Sequence, residues 1–335
     1  MTIRELAELA QVSPATVSIV LNNKKGVSAE TRMRILNLAK EHNYDTRKNS
    51  RRKVKDVLLL KFWGSGMLVE ENQSFVSTIV DSIGSELRLH NHRLSMHIEK
   101  NSLEEMLREV DFDSFCAVIV VGTEITRDLY QVLDSIPIPY VMVDNTGLGM
   151  NCASVNLDNS SNVYTALAYL KEMGHREIGY LRSAVVTENV AERNDAFQKW
   201  TKLLGFQVWK EAEFFLTPTL KGAYLDMRTA LGTGRRLPSC LYADNDTVAI
   251  GGIKALKECG FSVPKDVSVI AMDDIPFASV SSPPLTTVRV QKEMIGQIAV
   301  ARLLALLQNP EQHHHVKTLV TGELVIRSSV ADLSK

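Results

Sequence analysis

A chain of 335 residues is long enough for two or three domains, and 45% hydrophobic residues are enough to form large cores. The net charge of −1 hides an uneven distribution, because residues 1–55 hold 12 basic and 5 acidic side chains, a charge of +7. The rest of the chain, with 26 basic and 34 acidic side chains, carries −8. A basic amino-terminal segment ahead of an acidic body indicates that this end contacts a polyanion.

Signals of secretion and membrane insertion are missing from the sequence. Charged residues occur early, at Arg4, Glu5 and Glu8, and the longest apolar run, residues 116–121, is too short to span a bilayer. The cysteines, with no C-x-x-C spacing, are Cys116, Cys152, Cys240 and Cys259. We therefore expect a cytoplasmic protein whose cysteines are reduced, buried and structural.

The first 45 residues predict three helices and no strand. Apolar residues recur at helical spacing over residues 3–10, 14–22 and 29–44. Ser13 and Pro14 form a helix start, in which the serine caps and the proline takes the first helical position. Gln11 to Ser13 leave room for only a short turn between the first two helices, so the segment predicts a helix-turn-helix.

The second helix has an outer face of small or polar residues, formed by Ala15, Thr16, Ser18 and Asn22. Such a face can enter a major groove about 12 Å wide and approach phosphates and base edges. An ordinary three-helix subdomain is the alternative from the pattern alone, and the basic charge of the segment favours DNA binding.

Residues 45–55, DTRKNSRRKVK, contain six positive charges and one negative charge, which is typical of a linker. After it, short apolar strands alternate with amphipathic helices. The predicted strands are residues 57–63, 93–98, 116–122, 140–145, 178–183, 213–217, 239–244 and 267–274. The main predicted helices are residues 74–90, 160–173, 190–204, 246–259 and 291–308. This alternation predicts parallel sheets covered by helices on both faces, in two similar lobes with a ligand cleft between the strand ends.

Two sets of motifs resemble the LacI/GalR family of bacterial transcription regulators. The headpiece carries A-x-V-S-x-x-T-V-S-x-V-L-N at Ala10 to Asn22, followed by V-S-x-E-T-R-x-R-I-L at Val27 to Leu36. The body carries GHREIGYL (174–181), ERNDAF (192–197), ADNDTVAIGGIKAL (243–256), VSVIAMDD (267–274), PPLTTVRV (283–290) and GELVIRSS (322–329). The resemblance covers essentially the whole chain.

The resemblance implies an α/β protein, with a three-helix headpiece and a core of two doubly wound parallel sheets like that of periplasmic sugar-binding proteins. It implies a homodimer that binds a pseudo-palindromic operator. It also implies a small-molecule effector between the lobes, for which we favour a carbohydrate. The expected domains are the headpiece (1–45), a basic linker (46–56), a first lobe (57–158 and 289–318) and a second lobe (159–288 and 319–335).

Carried over by position, the DNA-binding candidates are Thr2, Ser13, Pro14, Ala15, Thr16, Ser18, Ile19 and Asn22. Members of the family often have Arg or His where this chain has Ile19, which cannot donate a hydrogen bond but can contact thymine methyl groups. The family's hinge motif N-x-x-A-R-S-L is also replaced by a shorter segment without leucine. Arg47, Arg51 and Arg52 in that segment are candidates for phosphate or minor-groove contacts, with a solvated linker as the alternative.

The effector-binding candidates are Trp63, Phe75, Asp144, Arg193, Asn245 and Asp273. Carboxylates accept hydrogen bonds from hydroxyl groups and arginine offers a fixed fork of donors, so this set suits a polyol. Helix capping or loop ordering is the alternative role for each aspartate, and we favour it for Asp246. The aromatic rings can stack on a sugar face, and a core position is the alternative for both.

Other classes of protein fit the sequence less well. Gly64-Ser65-Gly66 follows a strand, but residue 69 is valine, so the G-x-G-x-x-G of a dinucleotide-binding oxidoreductase fails. His313 to His315 are consecutive, which suits a solvated loop better than a metal site, so we expect neither a metal nor a cofactor. A solute-binding protein without DNA function is the remaining alternative, but it gives the basic helix-turn-helix no role.

Overall fold

The computed structural model describes residues 3–21, 26–42, 56–64, 73–100, 102–232, 236–309 and 316–335. The chain divides into two compact units, an amino-terminal unit of residues 1–55 that contains the headpiece, and residues 56–335, which we call the core. Several predicted functional residues lie outside the described ranges: Thr2, Asn22, Arg47, Arg51 and Arg52, the linker from residue 46 to 55, and the histidines 313–315.

The headpiece consists of three helices around one small apolar cluster. They are α1 (Ile3–Leu9), α2 (Pro14–Leu21) and α3 (Ala29–Glu41). The fully buried side chains include Leu6, Val17 and Ile35. The turn between α1 and α2 is tight, since Gln11 adopts φ 51°. Ser13 Oγ then accepts a hydrogen bond from Thr16 N at 3.1 Å and caps α2. The predicted helix-turn-helix is confirmed.

The core contains two six-stranded sheets. In chain order the strands are β1 (Asp56–Phe62), β2 (Leu94–Glu99), β3 (Phe115–Val121), β4 (Tyr140–Val143), β5 (Ala153–Leu157), β6 (Glu177–Ser183), β7 (Gln207–Leu216), β8 (Cys240–Ala243), β9 (Ser268–Asp273), β10 (Thr286–Arg289), β11 (Lys317–Val320) and β12 (Glu323–Val325). The first sheet is parallel, in the order β11-β5-β4-β3-β1-β2. The second has the order β12-β10-β9-β8-β6-β7, and only β12 runs antiparallel to its neighbour.

Helices cover both faces of each sheet. The α-helices of the core are α4 (Gln73–Leu89), α5 (Leu103–Glu109), α6 (Tyr130–Leu133), α7 (Asn159–Glu172), α8 (Glu188–Leu203), α9 (Leu220–Leu231), α10 (Asp246–Glu258), α11 (Pro276–Val280) and α12 (Lys292–Gln308). Helices α4 and α12 approach closely where Gly296 faces Ser82. A Cβ added to Gly296 would lie only 2.7 Å from Ser82 Cβ. Any larger residue at position 296 would separate these helices. The two doubly wound lobes are those predicted from the alternating pattern.

The chain crosses between the lobes three times. It leaves the first sheet after Leu157, returns to the first lobe between Arg289 and Lys292, and crosses again between Val320 and Glu323. The last crossing therefore lies two residues later than the boundary expected at residue 318. The reason is that β11 stays paired with β5 as far as Val320, opposite Leu157.

The cysteine prediction is only partly correct. Cys152 and Cys240 are buried and Cys116 is partly buried, but Cys259 is exposed. Cys259 follows the last residue of α10, where the helix end reaches the surface. In the described part of the core and headpiece, no helix combines the length and apolar character needed to cross a membrane.

Candidate effector site and DNA-binding face

A cavity between the two lobes brings together five of the six candidate effector residues. Its lining consists of Phe75, Val76, Thr123, Asp144, Thr187, Asn189, Val190, Arg193, Asn245 and Asp273. Trp63 is the candidate that does not line it. The free volume is about 40 Å³, which is room for a few water molecules and far below the roughly 300 Å³ of a small-molecule site. The lobes are therefore nearly closed around a polar centre.

Asp144 lies directly after β4 in the first lobe and is 2% exposed. Thr123 Oγ1 donates to its Oδ2 at 2.6 Å, and Asn189 Nδ2 donates to its Oδ1 at 2.9 Å. Burial raises the pKa of the Asp144 carboxyl from 3.8 to about 7, although the Thr123 hydrogen bond and the Arg193 charge oppose this. Its φ of 59° is a left-handed conformation that few non-glycine residues adopt.

Arg193 projects from α8 of the second lobe and is 6% exposed. Its Nε donates to Asn159 Oδ1 at 2.9 Å, and its Nη1 donates to the backbone oxygen of Asp244 at 2.6 Å. The remaining terminal nitrogen, Nη2, lies 3.5 Å from Asp273 Oδ1. The guanidinium is thus fixed by two neutral acceptors and is only loosely engaged with the carboxylate.

Asp273 ends β9 and is almost fully buried. Its φ of 114° lies outside the regions that side chains normally allow, and such strain clusters at functional sites. Burial raises the pKa of its carboxyl, while the positive charges of Arg193 and Lys292 act in the opposite direction. Lys292 contacts the Asp273 backbone oxygen through Nζ at 2.5 Å. The carboxylate of Asp273 therefore forms part of the cavity wall, and its oxygens can still accept hydrogen bonds from a ligand.

Asn245 and Asp246 begin α10 and have different roles. Asn245 Oδ1 accepts from Val248 N at 2.9 Å and caps the helix, which leaves its amide nitrogen as the group available to a ligand. Asp246 does not line the cavity. It accepts from Ile275 N at 2.9 Å and from Thr287 Oγ1 at 2.6 Å, so it orders the loop after β9.

Asn189 and Asp244 were not predicted from the sequence. Asn189 connects Asp144 to Asn156 and Asn159, whose amide nitrogens donate to its Oδ1 at 2.8 and 2.9 Å. Its position four residues before Arg193 places it on the same helix face, which is the signal that could have identified it. Asp244 is fully buried and accepts from the Tyr180 hydroxyl at 2.5 Å.

The aromatic candidates separate in the structure. Phe75 is 6% exposed and lines the cavity, with Lys292 Nζ 5.6 Å from its ring centre. Trp63 follows β1 next to the edge strand β2, and its backbone N donates to Glu99 O at 3.1 Å. The ammonium groups of Lys61 and Lys100 lie 5.1 and 4.2 Å from its ring centre. The structure therefore gives Trp63 a cation–π environment away from the cavity.

The described part of the headpiece presents the outer face expected of α2. Ser13, Pro14 and Ala15 are exposed, and Thr16, Ser18 and Ile19 are partly exposed. Val17 and Val20 are buried on the opposite side of α2, in the apolar cluster of the headpiece itself. Thr16 Oγ1 lies 2.9 Å from Ser13 Oγ, so these hydroxyls form a polar pair at the start of the helix. No group of potential metal ligands occurs within the described ranges.

Comparisons with known proteins agree with this architecture. Residues 2–47 match bacterial regulatory proteins of the lacI family, and residues 167–330 match the periplasmic binding protein-like domain. The HTH-type transcriptional repressor PurR of Haemophilus influenzae (strain PittEE) is 30% identical over 99% of both chains. The lac repressor dimer bound to operator and the anti-inducer ONPF has a TM-score of 0.73, with 24% identity over 99% of both chains. The CelR–cellobiose complex has a TM-score of 0.72, with 23% identity over 98% of this chain and 99% of that one.

A helix-turn-helix headpiece and a two-lobed core with a polar interlobe cavity define a ligand-binding, DNA-binding transcription regulator. The headpiece match and the full-length similarity to PurR identify the family. The chain belongs to the lacI family of bacterial regulatory proteins.

Proposed function

We propose that this chain is a cytoplasmic transcriptional repressor that binds a pseudo-palindromic operator as a homodimer. A small molecule binds between the lobes and changes the affinity for the operator, and we favour a carbohydrate as this molecule. Repression is the proposed direction of control because the full-length relative PurR is a repressor. Two identical headpieces would read two half-sites related by twofold symmetry.

The observation that carries this proposal is the shared interlobe cavity. Asp144 comes from the first lobe, and Arg193 and Asp273 come from the second. A ligand that contacts both lobes has different affinities for different lobe angles, so its binding shifts the population of conformations. This differential affinity is the physical basis for control of the headpieces.

The chemistry of the cavity supports a neutral ligand with several hydroxyl groups. Asp273 retains acceptor capacity, since its contact with Arg193 is at the limit of hydrogen bonding, and Asn245 retains an amide donor. Adjacent hydroxyl groups on a ligand can donate to the Asp273 carboxylate and accept from the Asn245 amide, because each hydroxyl is both a donor and an acceptor. CelR, which has a similar fold, was solved as a complex with cellobiose. A sugar needs far more than about 40 Å³, so the lobes must separate for it to enter.

Exposed apolar side chains on both lobes support the proposed homodimer. Met96 and Ile98 on the edge strand β2 are 50% and 44% exposed, and Phe277 and Val280 on α11 are 60% and 74% exposed. Exposed edge strands and apolar clusters of this kind are common at protein interfaces. We propose that both surfaces contact the second copy of the chain.

Selection of binding sites from random duplex DNA tests the proposed function. The purified full-length protein is used at about 0.15 M salt, which limits unspecific phosphate binding, with and without a mixture of common sugars. The proposal predicts enrichment of an inverted repeat in at least one condition. Failure to enrich any sequence in both conditions would overturn it.

A further inference from the structure

Helix α8 belongs to the second lobe, yet its first turns contact the first lobe. Asn189 Nδ2 donates to Asp144, and Thr146 Oγ1 donates to Glu192 Oε1 at 2.8 Å. A third contact lies beyond these, where Arg127 Nε donates to Glu188 Oε2 at 2.8 Å. Arg127 follows β3, in the short 3₁₀ segment Arg127–Leu129 of the first lobe.

The Arg127–Glu188 ion pair differs from the other two contacts in its partners. Asn189 also bonds Asn159, and Glu192 Oε2 also accepts from Asn159 Nδ2 at 2.7 Å, so both keep a partner within the second lobe. The hydrogen bonds found for Glu188 in the described part of the chain go to Arg127 alone. This pair therefore exists only when the lobes are together.

The surroundings of the pair make it sensitive to lobe position. The Glu188 side chain is only 12% exposed in the closed arrangement, whereas that of Arg127 is 61% exposed. The Glu188 hydrogen bond and charge raise the pKa of the Arg127 guanidinium. Once the lobes part, Glu188 becomes hydrated at the first turn of α8, where the helix dipole favours a negative charge. Glu188 is thus stabilised both when it is paired with Arg127 in the closed core and when it is hydrated in the open core.

Neither residue of the pair lines the cavity, whose wall includes Thr187, Asn189 and Arg193 from the same region. The cavity has room for only a few water molecules, so a sugar-sized ligand requires the lobes to open. Opening breaks the Arg127–Glu188 pair without involving the ligand. The pair can therefore set how often the cavity is open, separately from how well the ligand fits.

We propose that Arg127 and Glu188 form an interlobe latch, which favours the closed core and sets the open–closed equilibrium that an effector must shift. The consequence for DNA affinity rests on the proposed function, but the latch itself does not. By the energetics of exposed ion pairs, removal of the latch should raise the open-to-closed ratio about two- to fivefold.

The test measures lobe separation in the full-length protein without DNA or effector, so its outcome does not depend on the proposed function. Spin labels are attached at Ser135→Cys in the first lobe and Lys221→Cys in the second, both exposed positions. Cys116 and Cys259 are changed to serine, and unlabelled protein is mixed in to suppress distances between copies. Electron–electron double resonance then gives the distribution of distances.

Arg127→Met and Glu188→Gln should each increase the longer-distance population. The reversed pair R127E/E188R should recover part of the wild-type distribution, since an arginine at position 188 re-forms the ion pair but meets an unfavourable helix dipole. Arg93→Met is the matched control, because Arg93 pairs with Asp56 at 3.0 Å within the first lobe. It should leave the distribution unchanged. The latch is refuted if both single variants match the wild type, or if Arg93→Met shifts the distances equally.

Discussion

Arg193 Nη2 and Asp273 Oδ1 lie 3.5 Å apart although both side chains are buried between the lobes. A buried ion pair normally needs close geometry to offset the desolvation of two charges. Here the guanidinium is held instead by Asn159 and the Asp244 backbone. The loose contact leaves the Asp273 carboxylate able to accept from a ligand hydroxyl, which is the feature expected of a binding site and not of a purely structural pair.

The buried Asp144 should make the stability of the core depend on pH. Its folded-state pKa is raised to about 7 from 3.8, so the folded protein retains a proton between these values that the unfolded chain releases. The stabilising contribution is fully present below pH 4 and is lost as pH rises through 7. Relative to Asp144→Asn, the wild-type free energy of unfolding should fall by about 2 to 3 kcal/mol between pH 5 and pH 8.

Urea unfolding of both proteins at the two pH values measures this effect. Asp113→Asn, at an exposed position, controls for general effects of charge removal. A difference between wild type and Asp144→Asn that is the same at both pH values would contradict the assignment.

Ala15→Glu should weaken operator binding at least tenfold without unfolding the headpiece. Ala15 is exposed on α2, and a carboxylate there would face DNA phosphates and base edges. Asn37→Glu adds the same charge at an exposed position on α3 and is the matched control. Fluorescence anisotropy gives both affinities. Equal losses in the two variants would mean that α2 is not the recognition helix.

The linker prediction concerns salt dependence. If Arg51 and Arg52 contact phosphates, changing both to glutamine should reduce the slope of log K against log salt by about 1.8. Changing the core residues Lys221 and Lys265 to glutamine removes the same charge from exposed positions and should leave the slope unaltered. An unchanged slope in the arginine variant would favour a solvated linker.

Phe277→Asp should weaken the proposed homodimer at least 30-fold, because it places a charge on an apolar contact surface. Phe215→Asp provides a close control, since Phe215 is 59% exposed against 60% for Phe277 and lies on β7 outside the proposed interface. Sedimentation equilibrium measures both dissociation constants. A stable Phe277→Asp dimer would show that α11 does not take part in association.

The sequence predicted those site residues that follow strongly apolar strands. Asp144 and Asp273 end such strands, and parallel strands bring their carboxyl ends to one edge of the sheet. Trp63 also follows a strand, but β1 is next to the edge strand β2, and strand order depends on pairing between distant residues. The role of Asn189 depends on hydrogen bonds across the lobes, which no local pattern encodes.

Short strands also escape prediction from the sequence. The prediction omitted β5, β10, β11 and β12, of three to five residues each. The segment Ala153–Leu157 is fully buried yet contains Ser154 and Asn156, so its apolar signal is weak. Its place in the sheet comes from pairing with β4 and β11, which are distant from one another in the chain.

The most direct test of the central claim measures operator affinity while sugars are added to the full-length protein. With a labelled operator from the selection experiment, mono- and disaccharides are titrated against the wild type, Asp273→Asn and the exposed-site control Asp266→Asn. At least one sugar should change the operator affinity of the wild type about fivefold or more. The control should respond in the same way, and Asp273→Asn should lose the response. If no sugar alters the operator affinity, or if the response persists in Asp273→Asn, the interlobe cavity is not a sugar-binding site that controls DNA binding.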